Sequence, residues 1–80
     1  MTRGEFLRKK AKKITRQREA LGLTRREVAE AIGVSEGAVL WWERGLRMMS
    51  AYNATTLQFY FKRKWAERMQ QAAASTEATS

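Results

Sequence analysis

Two thirds of the charged side chains in this chain are cations. Sixteen Lys and Arg stand against eight Glu, and there is no Asp, no His and no Cys. Without His the chain lacks the commonest general base and the commonest metal ligand. Without Cys it has neither disulfides nor thiolate sites. The glutamates interleave with Lys and Arg at helical spacing, as solvated helix faces do. No catalytic residue, metal, cofactor or small-molecule ligand is therefore expected.

What remains is charge. A net charge of +8 on 80 residues, with a pI near 10.7, is the electrostatic footprint of a small nucleic-acid binder. Solubility alone, or a ribosome or membrane surface, would be the other use of such a field. No window approaches a membrane span, and MTRGEFLRKK has no apolar h-region. Cytoplasmic residence, in a bacterial host cell or on its nucleoid, is the expectation.

The second chemical feature is the stretch Ser35 to Gly45, SEGAVLWWERG, with its paired tryptophans. Adjacent helical residues point about 100° apart, so Trp41 and Trp42 cannot both face a core. One of them must lie at the surface, as a contact for DNA or for a protein.

The elements that position these residues are helices punctuated by glycine. Glu5 to Leu21 reads as a basic helix that Gly22 ends as a left-handed residue. Thr24 and Glu27 form a capping box that opens a second helix through Val28, Ala29 and Ile32. Ser35 caps the third helix, which Gly45 stops. After Leu46-Arg47-Met48-Met49, Ser50 or Asn53 opens a long helix carrying Leu57, Phe61, Trp65 and Met69 at i, i+4 steps. One domain is expected over 1–72, with a helix-turn-helix at about 25–44 and the last helix at about 51–72. The small, polar end, 73–80, is expected to be disordered.

Two short helices joined by Gly33-Val34-Ser35 are the defining pattern. The crossing needs a small residue, Ala29, and the sharp turn needs a residue tolerant of positive φ, Gly33. Val39 and Trp42, three apart, then point back into the core.

With Ile14, Arg18, Gly22-Leu23-Thr24, Val28-Ala29, Ile32-Gly33-Val34-Ser35, Val39 and Trp42-Glu43-x-Gly45 in one register, the chain resembles the lambda-repressor/Cro-like (Xre) helix-turn-helix family. The resemblance covers about residues 10 to 60. It implies an all-α, lambda-repressor-like bundle of four to five helices, with an elongated C-terminal helix. It implies a sequence-specific regulator of the small phage or plasmid type that places helix 35–44 in the major groove of double-stranded DNA.

Roles follow residue by residue. Arg18 and Glu43 match an ion pair of the family, which would lock the reading helix in place; as two surface charges they would contribute only ~0–1 kcal/mol. Glu36, Gly37, Ala38 and Trp41 match the base-reading positions. That is a lean set: Glu36 can accept from a cytosine amine, and Ala38 and Trp41 can pack on thymine methyls. Arg25, Arg26, Ser35, Arg44 and Arg47 are the expected phosphate contacts, with Lys13 and Arg16 adding to the field from the first helix.

The last helix departs from the family. Met49 stands where a proline is usual, and Tyr60, Phe61, Trp65 and Met69 offer more aromatic surface than so small a domain needs. Part of that stripe is expected to close the core, and the four residues are the candidate homodimer interface. Two other functions fit the same scaffold. One is a module that binds a transcription factor or polymerase subunit through Trp41 or the last helix. The other is an antitoxin that regulates its own gene.

Overall fold

The computed structural model describes residues 1–79, with side chains described through residue 73. Four helices follow in order: α1 (Arg3–Ala20), α2 (Arg25–Ile32), α3 (Glu36–Glu43) and α4 (Ala51–Thr79). The fold is all-α, with a long last helix.

Local chemistry sets most boundaries. Thr2 accepts the N–H of Glu5 at 3.2 Å, so α1 begins two residues before the expected Glu5. In the Thr24–Glu27 capping box, Thr24 Oγ1 accepts the Glu27 N–H at 3.0 Å and Glu27 accepts the Thr24 N–H at 3.1 Å. Hydrogen bonding of the Glu27 carboxylate to the Thr24 backbone N–H, and then to the Thr24 hydroxyl, holds it below its usual range. Of the two candidate caps for α4, Ser50 serves: its Oγ accepts the Asn53 N–H at 3.1 Å. α4 has helical backbone to Thr79 rather than to about 72. The residues past 72 are rich in Ala, the strongest helix former, and lack Gly and Pro. The tail expected to be disordered, 73–80, falls almost wholly outside the residues whose side chains are described.

The core forms where all four helices meet. Ile14 of α1, Val28, Ala29 and Ile32 of α2, Val39 and Trp42 of α3, and Leu57, Tyr60 and Phe61 of α4 make one buried cluster. Ala29 is 3% exposed, which lets α2 and α3 approach closely. Gly33 follows α2 in the left-handed region, at φ 76° and ψ 36°, and turns the chain into α3.

The candidate dimer stripe divides here. Tyr60 and Phe61, expected at an interface, are 8% and 1% exposed and belong to the core. The reason is rotational. Each i, i+4 step advances about 40° around a helix, so Leu57, Phe61, Trp65 and Met69 spiral away from the core. Trp65 and Met69 are accordingly exposed, at 41% and 66%, while Tyr52 and Phe59 are more exposed still. Arg68 lies over the Trp65 ring, 5.9 Å from its centroid, and donates from Nη1 to the Ala20 carbonyl at the end of α1.

Candidate nucleic-acid interface

α3 presents two opposite faces. Val39 and Trp42 enter the core at 0% and 7% exposure, and Trp41 stands outside at 43%. The outer row, Gly37, Trp41 and Arg44, runs at i, i+4 and i+7, with exposed Glu36 one residue earlier. Ala38 is half-buried and packs against the core. Ser35 is exposed, but its hydroxyl accepts the Ala38 N–H at 3.1 Å. It caps α3 and leaves one lone pair and its own proton for another partner.

The last residue of α3 anchors this face to the rest of the fold. The Glu43 side chain is 2% exposed. Arg18 of α1 grips it with two donors, Nε to Oε2 at 2.7 Å and Nη2 to Oε1 at 3.0 Å. Arg18 also donates from Nη1 to the Leu23 carbonyl at 2.9 Å, so one guanidinium ties the α1–α2 turn to α3. Oε1 accepts two further bonds, from Arg25 Nε at 3.1 Å and Thr15 Oγ1 at 3.2 Å. Burial pushes the Glu43 carboxyl up, but the bonds and charges of Arg18, and then of Arg25, outweigh it and hold the group below its ordinary value. The bond to Glu43 in turn raises Arg18, against the opposing effect of its burial. Both stay charged at neutral pH.

Arg25 and Thr15 are the members of this network that sequence reasoning missed. Thr15 lies three residues before Arg18, on the same side of α1, which is the one signal the sequence offered. Arg25 was expected to face phosphate. It is 42% exposed, with Nε committed to Glu43 and no protein acceptor for its other donors among the described residues.

The other cations expected to meet phosphate are all exposed. Arg26 is exposed and pairs with Glu30 at 3.2 Å along α2. Arg44 caps α3, its backbone N–H bonded to the Leu40 carbonyl at 3.0 Å, and its side chain is exposed. Arg47 lies over the Trp41 ring, 4.7 Å from the centroid. Lys13 and Arg16 are exposed on α1. Among the described residues, no cluster of His, Cys, Asp or Glu could hold a metal ion. No helix among them is long and apolar enough to cross a membrane.

This arrangement is a small basic domain whose third helix, with one face exposed, is held at its end by a buried, doubly gripped carboxylate. Comparison with known proteins agrees with it. The helix-turn-helix domain family matches residues 11–55, consistent with the small Xre/Cro-like regulators that the sequence resembles. No curated protein and no solved structure matches the chain. The matched region begins in α1, contains all of α2 and α3 and ends at Thr55 early in α4, so it takes in the whole α3 platform; the chain belongs to the helix-turn-helix domain family.

Proposed function

We propose that this protein is a sequence-specific transcriptional regulator of the repressor, Cro-like type that lays α3 in the major groove of double-stranded DNA. The observation that carries this reading is the outer face of α3. It is exposed, fixed from behind by Arg18 and Glu43, and ringed by Arg25, Arg44 and Arg47 on a chain of net charge +8. The arginines with Arg26, Lys13 and Arg16 bind phosphates. Glu36 accepts from a cytosine amine, Ala38 touches a thymine methyl, and Gly37 lets the backbone close on the base edges.

The active species is a homodimer on two half-sites about 34 Å apart. Its interface is formed by the exposed residues of α4, Trp65 and Met69 on one flank and Tyr52 and Phe59 on the next, rather than by Tyr60 and Phe61.

Titration of labelled duplexes by fluorescence anisotropy tests this. Arg44→Ala should weaken binding to every sequence alike and lower the log–log salt slope by about one. Glu36→Ala should change which base is preferred at one position of each half-site. If Glu36→Ala left affinity and preference untouched, α3 would not be the reading element. A protein-interaction module or an antitoxin would then become the better description.

A further inference from the structure

The pairing of Trp41 with Arg47 is a consequence of how α3 ends. Gly45 is left-handed at φ 69°, and the chain reverses there. The Leu46 N–H bonds to the Trp41 carbonyl at 2.9 Å, and the Gly45 N–H to the Trp42 carbonyl at 3.2 Å. These are the two bonds of a Schellman turn. The turn rests on α1, since a Cβ at Gly45 would stand 3.6 Å from the Leu7 and Arg8 backbone. Residue 47 is thereby carried back over residue 41, and the guanidinium settles 4.7 Å from the ring centroid.

A cation held over a ring face uses up no hydrogen-bond acceptor, so donors of the guanidinium stay available for another partner. Arg47 is exposed, and among the described residues it has no carboxylate or carbonyl partner. Trp41, in turn, has one face of its indole covered. A base reader that packs on a thymine methyl would want that face open.

We propose that Trp41 is a positioning residue for Arg47, which it holds as a preformed phosphate clamp at the edge of the α3 face. This rests on the DNA-binding reading above. Trp41 then acts on affinity rather than on sequence preference. It lowers the ordering cost of a long side chain before DNA arrives. The Arg47 donors, without a protein acceptor among the described residues, can meet two phosphate oxygens.

The test is a double-mutant cycle. Arg47→Gln, Trp41→Leu and the double variant, with Trp41→Phe as a ring-retaining control, are titrated onto a duplex enriched from a random pool and onto a scrambled one, across salt. Arg47→Gln should weaken both complexes by the same factor and reduce the salt slope by about one. Trp41→Leu should cost about two- to fivefold on both duplexes. That loss should vanish when Arg47 is already Gln, and Trp41→Phe should recover most of it. In the free protein, the Arg47 δ-methylene resonances should be shifted upfield by the ring and return to ordinary values in Trp41→Leu. Equal losses from Trp41→Leu with and without Arg47 would overturn the inference and leave the DNA reading standing. A loss confined to the enriched duplex would overturn it too, and make Trp41 a base reader. Failure of the wild-type protein to bind either duplex would sink the DNA reading and this inference together.

Discussion

Glu43→Gln is the substitution that most sharply tests how α3 is held. It preserves shape and removes one charge from a site where two oxygens accept from Arg18 twice, Arg25 once and Thr15 once. An amide supplies one acceptor oxygen and turns an N–H₂ donor toward groups that are themselves donors. The buried Arg18, its side chain 11% exposed, then loses its buried charged partner and one of its two bonds to residue 43. Breaking a buried pair from one side typically costs about 3–5 kcal/mol. Arg18 keeps the Leu23 carbonyl at 2.9 Å and the exposed Glu19 at 3.8 Å, so about 2–3 kcal/mol is the expected loss here. That corresponds to a melting temperature lower by about 8–20 °C for a domain of this size. Urea denaturation followed by far-UV circular dichroism measures it.

The pH dependence adds a second check. The folded Glu43 carboxyl lies below its ordinary value. Its stabilisation is therefore complete above the unfolded value, about 4.3, and is lost as pH falls through the lower folded one. The variant has no charge to lose at this site. The stability gap should be full at neutral pH and should close progressively below about pH 4.3. A gap under about 0.5 kcal/mol at pH 7, or one that stays constant into acid, would reduce the network to an ordinary surface pair.

Other substitutions probe the remaining links. Gly33→Ala forces a Cβ into the left-handed region, where it meets no atom within 4 Å; the cost is backbone strain of about 1–2 kcal/mol by denaturation, with Gly33→Asn milder. Phe61→Ala empties a core position that is 1% exposed and should cost about 3–5 kcal/mol. Phe59→Ala, at 68% exposure, should leave the monomer within about 0.5 kcal/mol while lowering the apparent mass in analytical ultracentrifugation. A Phe59 variant that unfolds the chain, or that leaves a dimer unchanged, would remove the exposed residues of α4 as the interface. Thr24→Ala breaks the capping box and should lose about 1 kcal/mol, with α2 amides exchanging faster than those of α1.

Much of the α3 platform could be read from the sequence because local rules determine it. Gly33 and Ala29 fix the turn and the crossing, Ser35 caps, and the three-residue step from Val39, with the family resemblance, puts Trp42 inside, so the 100° step between neighbours leaves Trp41 outside. The Arg18–Glu43 contact joins residues that the sequence could only suggest as partners, through the family resemblance. What the sequence did not disclose depends on tertiary distance. Nothing local tells Arg25 that a carboxylate 18 positions onward will take its Nε. Nor did the aromatic stripe of α4 reveal its own division. The core seam follows Leu57, Tyr60 and Phe61, a 3–4 pattern that keeps one face. The uniform four-residue spacing to Trp65 and Met69 looks just as apolar on paper, but it leaves that face after one step. Arg47 belongs to the same class, because its place over Trp41 depends on the backbone reversal at Gly45.

The most direct measurement is selection of bound duplexes from a random pool at physiological salt, followed by titration of the enriched sequence against a scrambled one. A dimer that reads DNA with α3 should enrich a two-fold symmetric motif whose half-sites are centred about 34 Å, or one turn, apart, with a clear affinity gap over the scrambled duplex. An unenriched pool, with all binding lost as salt rises, would mean that the cations meet phosphates without α3 reading any base.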